Sequence, residues 1–164
     1  MQAQMEIRIR PATREDCAAL AMLADQLGYE SSAEQIARRL EGLLRSDENQ
    51  VFLAEASDEN AAGWIGVFVH RSLSSDPRAE ISSLIVDEKQ RSRGIGAALV
   101  KRAEEWAIEK GCRIMGVHTN VTRERAHAFY ERNGYTMAKT QKCFRKELRV
   151  RAATGDGACT ASGM

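Results

Sequence analysis

Apolar and polar residues alternate in several short stretches of the chain, and this alternation predicts β-strands. Residues 5–10, MEIRIR, alternate apolar with charged side chains, which is typical of a strand with one buried face. Residues 49–57 and 61–73 are typical of two longer strands, and the polar turn between them predicts a hairpin. Further strands are expected over residues 79–87, 112–120, 135–140 and 141–148, the last two as a second hairpin.

Apolar residues recur every three or four positions in four other stretches, which predicts helices. Thr13, followed three residues later by Asp16, resembles a capping box that opens the first helix, and Gly28 ends that helix. Ser31 with Glu34 resembles a second capping box. The predicted helices cover about residues 13–27, 31–46, 94–110 and 122–133.

The order of these elements is β, α, α, β, β, β, α, β, α, β, β. It predicts a mixed α/β (α+β) fold in which about four helices pack on a mixed sheet of about seven strands. The chain shows no internal repeat and no linker, so we expect one domain over residues 1–150. Residues 151–164 are small and polar and are expected to form a flexible tail.

Composition and charge limit the class of protein. The chain has 164 residues, 43% hydrophobic and 29% charged, which is enough for one domain with a core. The formal net charge of +1 gives no reason to expect nucleic acid or an anionic membrane as a partner. No apolar run approaches about 18 residues, and no signal peptide is apparent. The four cysteines form no CxxC pair, so we expect no metal site and a cytoplasmic protein with reduced thiols.

The sequence RSRGIG at residues 91–96 has the composition of an anion site. It lies where the third helix begins, and a helix N-terminus presents unpaired N–H groups and the positive end of the helix dipole. Gly94 and Gly96 would let a phosphate approach the backbone. Arg91 and Arg93 add positive charge and directed donors. The alternative is a tight strand-to-helix turn with solvated arginines.

Two familiar phosphate motifs do not match this stretch. A Walker A loop requires a Gly-Lys pair, and the chain has none. A dinucleotide fingerprint requires a third glycine, and Leu99 stands in its place. The acidic residue expected about 20 positions later is also missing.

VDEKQRSRGIGAAL, residues 86–99, resembles the acetyl-CoA-binding segment of the GNAT family of N-acetyltransferases. In that family the segment reads [QR]xxGx[GA] and opens a helix after a strand. HTNVTRERAHAFYERNGY, residues 118–135, resembles the family's downstream segment of strand end, short helix and Gly-aromatic pair. The resemblance covers roughly residues 5–149. It implies a GNAT-like fold with a twisted, mostly antiparallel sheet, and acetyl-CoA as the co-substrate.

The resemblance also implies which residues bind acetyl-CoA. In the family, the strand before the loop splays from its neighbour and its backbone binds the pantetheine arm, here through Leu84, Ile85 and Val86. The loop and the first helical turn would bind the pyrophosphate; they comprise Arg91, Ser92, Arg93, Gly94, Ile95, Gly96 and Ala97. Asn120, Phe129 and Tyr130 would border the arm and the thioester. For Asn120 the alternative is the N-cap of the next helix.

The implied reaction is direct acetyl transfer from the thioester to a primary amine in a ternary complex. An alkyl ammonium with a pKa near 10.4 must lose a proton before it attacks, so a base is required. A backbone N–H near Ile85 would stabilise the oxyanion. Tyr130 stands where the family has its acidic tyrosine and would protonate the CoA thiolate. The alternative is a core aromatic, because Ala126, Phe129 and Tyr130 share helical spacing.

Glu80 and His118 are the candidates for the base. Many relatives have a glutamate two positions before the Leu84 site, where this chain has Ser82. Glu80 would act through water, the alternative being that it only faces solvent. His118 ends the strand beside the splay, and a histidine pKa near 6.5 suits a base. Strand alternation leaves open that His118 points to the far face of the sheet.

The acceptor pocket is expected to form from the first two helices and the loop between them. Tyr29, Glu30 and Trp64 would line it, because an aromatic ring beside acids suits a cationic amine. The alternative is that Tyr29 only packs and Glu30 lies on the surface. We expect a small-molecule acceptor; the alternatives are peptide or protein N-acetylation and a regulatory module that binds acyl-CoA without turnover. A homodimer is expected because many family members are dimers.

Overall fold

The fold is a five-stranded mixed sheet with helices on both faces, described by a computed structural model over residues 7–56 and 60–148. The strands lie side by side in chain order: β1 (Arg8–Pro11), β2 (Asn49–Glu55), β3 (Ala61–His70), β4 (Arg78–Val86) and β5 (Met115–Val117). The helices are α1 (Cys17–Asp25), α2 (Ala33–Leu44), α3 (Ile95–Glu109) and α4 (Glu124–Arg132). Neighbouring strands are antiparallel except β4 and β5, which are parallel.

The predicted α/β class and mixed sheet are confirmed, but the sheet has five strands instead of about seven. The difference lies in residues 135–148, where the predicted hairpin is wrong because no strand forms there. Met137 is 84% exposed and Phe144 is 90% exposed. An alternating pattern makes a strand only when a neighbouring strand and a buried face stabilise it; residues 136–148 are all exposed and have no strand partner among the described residues. The predicted tail, residues 151–164, lies outside the described residues.

Two sets of apolar contacts place helices on the two faces of the sheet. On one face α3 packs against the strands, in a cluster that includes Ile95, Leu99, Val100, Phe52, Ile65, Val67, Ala79 and Ile81. On the other face α1 and α2 pack on the sheet, through Leu20 and Leu40 against Leu53, and through Leu23 and Ala24 against Ile85. The sheet is therefore the middle layer, and β4 contributes side chains to both sides.

A β-bulge in β4 changes the face to which its side chains point. Val67 pairs with Ile81 and Gly66 pairs with Ser83, so Ser82 is an extra residue in β4. Before the bulge, Ile81 packs on the α3 side. After the bulge, Ile85 packs on the α1 side. Because side chains alternate along a strand, Glu80 and Ser83 both lie on the face that carries α1 and α2.

The N-terminus of α2 corrects one predicted cap. Ser32 is the N-cap; its Oγ accepts from the Gln35 N–H at 3.2 Å, and Gln35 Oε1 accepts from the Ser32 N–H at 2.9 Å. The predicted pair, Ser31 with Glu34, is off by one residue. Both pairs satisfy the capping spacing, so the pattern alone does not choose between them.

Arg10 joins the edge of the sheet to the start of α1. Its guanidinium donates two hydrogen bonds of 2.8 Å to Asp16 and one of 2.8 Å to Glu55. Asp16 also accepts from the Thr13 N–H at 2.7 Å, so the predicted cap forms. The hydrogen bonds from Arg10 lower the pKa of Asp16, and those to Asp16 and Glu55 raise the pKa of Arg10. The link between the sheet edge and the start of α1 therefore requires the Asp16 and Glu55 carboxylates to be ionised.

Asp16→Asn is expected to lower the free energy of unfolding by roughly 1–3 kcal/mol at neutral pH, because it removes a charged partner of a partly buried guanidinium. The folded pKa of Asp16 is lowered. In the wild type, the ionised Asp16 carboxylate therefore stabilises the folded state fully at a pH above the unfolded Asp pKa of about 3.9. This stabilisation is lost as the pH falls through the pKa of Asp16 in the folded state. Urea unfolding across this range should show the difference shrinking with acid. The control is Glu15→Gln, in the same turn, and a difference independent of pH would contradict the assignment.

The described residues include no helix that is long and apolar enough to cross a membrane. Over the same residues, no group of three or more His, Cys, Asp or Glu side chains is placed to bind a metal ion. Cys17 and Cys112 are free and buried, and Cys143 is free and exposed.

Candidate active site

A gap between β4 and β5 is the central feature of the site. The two strands pair only where Ala79, Glu80 and Ile81 face residues 115–117. Beyond that point β4 continues to Val86 with β3 as its partner. Residues 82–86 therefore leave one backbone edge without a strand partner in the described part of the chain. An extended molecule with amide groups can hydrogen-bond to such an edge as an added strand.

The turn that follows β4 leaves the N-terminus of α3 open. Gly94 is the N-cap, with a left-handed φ of 81°, and among the described residues no side-chain cap hydrogen bond closes the start of the helix. A Cβ built at Gly94 would meet no atom within 4 Å. Ser92 also has a positive φ, of 64°, which is uncommon for a residue other than glycine. Uncapped N–H groups facing open space fit a phosphate group.

Two arginines lie at this open helix end. Arg91 donates from Nε to the Val86 carbonyl at 3.3 Å, and its guanidinium lies 3.9 Å from the Glu88 carboxylate. Arg93 donates from Nη1 to Gln90 Oε1 at 3.1 Å. Positive charge is therefore held between the end of β4 and the start of α3.

Gln26, which follows α1, hydrogen-bonds to the first residues of the same turn. Its Oε1 accepts from the Glu88 N–H at 3.0 Å, and its Nε2 donates to the Asp87 carboxylate at 3.4 Å. Asp87 also accepts from the Lys89 N–H at 2.7 Å. Gln26 could not be predicted from the sequence, because its partners are 61 and 62 positions away and no local pattern marks it.

Helix α4 lies next to the start of α3 and the end of β4. A Cβ at Gly96 would lie 3.1 and 3.2 Å from carbons of the Phe129 ring and 3.6 Å from Val86. Because Gly96 has no side chain, the Phe129 ring can pack directly against it near Val86. All three residues are predicted to bind the cofactor. Tyr130 is 9% exposed, and its ring centroid lies 5.1 Å from Phe129 and 5.4 Å from Tyr135, both edge-on. Burial raises the pKa of Tyr130, so its phenol stays protonated at neutral pH.

Asn120 shapes the turn between β5 and α4. Its Oδ1 accepts from the Thr122 N–H at 3.0 Å and from the Thr122 hydroxyl at 2.9 Å. Its carbonyl accepts from His127 Nε2 at 2.9 Å. The N-cap of α4 is Arg123, so the alternative that Asn120 caps this helix is wrong.

Glu80 and His118, the two candidate bases, are in direct contact. Nδ1 of His118 lies 2.6 Å from Oε1 of Glu80. The Glu80 side chain is 15% exposed and the His118 side chain is 71% exposed. The contact places His118 beside Glu80 on the face that carries α1 and α2. The two side chains lie where the hydrogen bonding between β4 and β5 ends, which is the closed end of the gap.

Two serine hydroxyls of β4 lie against Gly66 of β3. A Cβ at Gly66 would lie 2.6 Å from the Ser82 Oγ, 3.1 Å from the Ser83 Oγ and 3.8 Å from the Trp64 ring. The hydroxyls therefore occupy the space over Gly66, next to the Trp64 ring. The position of these hydroxyls could not be predicted from the sequence, because the bulge at Ser82 depends on pairing with β3.

The three predicted acceptor residues lie in different surroundings. Trp64 packs against Leu23 and Ala24 of α1, and its Nε1 is buried without a hydrogen-bond partner among the described residues. Tyr29 is 62% exposed on the loop after α1. Glu30 lines a shallow pocket together with Asp25, Gly28, Ser31, Ser32 and Gln35. Trp64 thus lies beneath α1, while Tyr29 and Glu30 lie on the loop that follows it.

The fold and the open gap are those of an acyl-CoA-dependent acetyltransferase. The chain belongs to the acetyltransferase (GNAT) family, whose model matches residues 15–135. It is an acetyl-CoA-dependent N-acetyltransferase that acetylates an amine, as the resemblance predicted.

Several characterised proteins are similar to this chain. It is 29% identical over 148 residues to the aminoglycoside N(6')-acetyltransferase type 1 of Stenotrophomonas maltophilia, covering 88% of this chain and 95% of that protein. It is also 29% identical over 133 residues to the aminoalkylphosphonate N-acetyltransferase of Salmonella typhimurium, covering 77% and 83%. A solved aminoglycoside N-acetyltransferase in complex with CoA has the same fold, with a TM-score of 0.79 at 20% identity over 90% of this chain and 99% of that one.

Proposed function

We propose that this enzyme acetylates a primary amine of a small molecule, with both substrates bound at once. The observation that carries the proposal is the gap: one end opens at the N-terminus of α3, and the other ends at Glu80, His118 and Ser83 on the face of α1 and α2. An acyl group delivered along β4 would meet an amine held on that face, which favours direct transfer. The similar enzymes named for aminoglycosides and aminoalkylphosphonates support a small amine as acceptor.

In this proposal the edge of β4 and the turn before α3 hold acetyl-CoA, which supplies the activated acyl group. Backbone groups of Leu84, Ile85 and Val86 would bind the pantetheine arm, because this edge lacks a strand partner in the described chain. The pyrophosphate would lie against residues 91–97, where N–H groups, arginines and open space coincide. Asn120 and Phe129 would border the arm from the side of α4.

Tyr130 is proposed as the acid that protonates the departing sulfur. Its buried phenol keeps its proton at neutral pH because burial raises its pKa. It lies next to Phe129, whose ring reaches Gly96 at the cofactor end of the gap. Backbone N–H groups on the free edge of β4 are preorganised donors for the oxyanion.

The acceptor is proposed to be a cationic amine bound on the face of α1 and α2. The carboxylate of Glu80 lies on this face, and Glu30 and the exposed ring of Tyr29 lie on the adjoining loop. Trp64 would form the wall under α1. Charge and aromatic rings together favour an ammonium over a neutral ligand. A homodimer also remains a proposal, which size-exclusion chromatography with light scattering would test.

The first experiment is a thermal shift with acetyl-CoA, CoA, ATP and NAD, followed by an amine panel read by thiol release. Ligand at about 100 times its dissociation constant adds roughly 2.7 kcal/mol, or about 5–10 °C for a domain of this size. We expect a shift with the two CoA ligands alone, and thiol release with an aminoglycoside or an aminoalkylphosphonate. Equal shifts with ATP or NAD would contradict the cofactor site. Thiol release with peptide amines alone would contradict the small-molecule acceptor.

A further inference from the structure

The contact between Glu80 and His118 has the geometry of an imidazole base oriented by a carboxylate. A carboxylate can only accept hydrogen bonds, so at 2.6 Å the proton of the contact belongs to Nδ1 of His118. When the ring is neutral, its other nitrogen, Nε2, is then the unprotonated one. We propose that His118 is the base of the acetyl transfer and that Glu80 is its positioning residue. This inference rests on the proposed function and replaces two alternative bases with one pair.

The surroundings of the two side chains suit these different roles. Glu80 lies on the sheet between Phe68 of β3 and Gly116 of β5, and it is mostly buried, so its carboxylate is held in place. Gly116 has no side chain to fill the space beside Glu80, and a Cβ there would meet only the Ala79 carbonyl, at 3.9 Å. His118, two residues later on the same face, lies beside that space. Its ring is 71% exposed and can exchange protons with solvent.

The other titratable groups of this face on neighbouring strands are at the end of the sheet. His70 and Arg78 pair with each other across β3 and β4, two residues before Glu80 on β4. His127, the remaining histidine, is bonded to the Asn120 carbonyl at the start of α4. His118 is thus the histidine whose ring meets a carboxylate at the closed end of the gap.

The proton transfers balance without a further reactant. Nε2 of His118 takes one proton from the acceptor ammonium and releases it to solvent. The amine nitrogen then bonds to the carbonyl carbon of the thioester, and the carbon–sulfur bond breaks as that nitrogen loses its second proton. The sulfur takes a proton from Tyr130, which is restored by the proton lost from nitrogen. The products are an amide, a free thiol and one proton in solution.

Chemical rescue tests the role of His118. His118→Ala is expected to lower kcat by about 100-fold, the lower range for a lost general base. It should leave the KM for acetyl-CoA and the acetyl-CoA thermal shift unchanged. Added imidazole should raise kcat of this variant, because the exposed position lets the free base replace the side chain. His70→Ala, at the end of the same sheet face, is the matched control and should keep kcat within about twofold with no response to imidazole.

Glu80→Gln tests the positioning role. The amide keeps the size of the side chain but removes the charge that fixes the Nδ1 proton, so kcat should fall about tenfold, as for other residues that orient a functional histidine. Imidazole should not rescue this variant, because the ring is still present. If the KM for acetyl-CoA also rose about tenfold, Glu80 would instead have a merely structural role.

The outcomes separate this proposal from the proposed function. If the wild type releases thiol and His118→Ala retains its kcat, or gains nothing from imidazole, the pair is not the base although the enzyme is an amine acetyltransferase. If the wild type releases no thiol with any amine while acetyl-CoA still shifts its melting temperature, the proposed function fails and the pair with it. If His118→Ala loses kcat and regains it with imidazole, and His70→Ala does neither, the result would support His118 as the base and Glu80 as its positioning residue.

Discussion

Gly94→Glu is expected to weaken acetyl-CoA binding by at least about 100-fold, with a corresponding loss of activity. Gly94 caps α3 with a φ of 81°, and the space in front of it is open. A carboxylate there would oppose the pyrophosphate, and like charges in a binding site cost several kcal/mol, at about 1.4 kcal/mol for each tenfold in affinity. The acetyl-CoA thermal shift and a direct titration measure the loss.

Gly111→Glu is the matched control for this experiment. Gly111 follows the other end of α3, has a φ of 79°, and a Cβ there would meet no atom within 4 Å. Both variants therefore bear the same strain of a left-handed residue with a side chain, about 1–2 kcal/mol. Only Gly94→Glu should lose the shift with acetyl-CoA. An unchanged affinity in Gly94→Glu would mean that the pyrophosphate binds elsewhere.

Tyr130→Phe is expected to lower kcat by about 1,000-fold while the KM for acetyl-CoA changes little, because only the proton donor is removed. The ring contacts with Phe129 and Tyr135 are kept. Burial raises the pKa of Tyr130, so the acid form persists through neutral pH and is lost only at a pH above the ordinary range for tyrosine. A pH profile of kcat should show this alkaline decline in the wild type and lack it in the variant.

Tyr135→Phe separates loss of the acid from loss of a buried hydroxyl. The Tyr135 hydroxyl donates to Glu104 at 2.9 Å, and burial together with this hydrogen bond raises its pKa as well. Removing it should cost about 1 kcal/mol of stability and leave kcat within about twofold. If Tyr130→Phe behaved in the same way, Tyr130 would be a core aromatic, as the helical spacing alone permits.

The glycine-rich turn before α3 could be predicted from the sequence because its pattern is local. Gly94, Gly96 and the two arginines lie within six positions. The first N–H groups of any helix lack partners within the helix, whatever the tertiary structure around it. The same holds for the hairpin of β2 and β3, which needs only alternation and a turn. Residues 135–148 show the limit: their pattern resembles strands, but pairing with another strand is not a local property.

The acceptor side could not be predicted in the same way. The contact between Glu80 and His118 joins residues 38 positions apart, and from the sequence each was a separate candidate for the base. The bulge at Ser82 exists only because β4 pairs with β3, and it decides which side chains face α1. Gln26 reaches the turn after β4 only once α1 has packed on the sheet.

The sequence by itself determined the family, the co-substrate and the position of the glycine-rich turn at the start of α3, since each depends on residues close together in the chain. Tertiary structure alone decided where β4 and β5 part, which face Glu80 and Ser83 occupy, and which carboxylate meets His118. Those features depend on strand register, and one extra residue in a strand moves every following side chain to the other face.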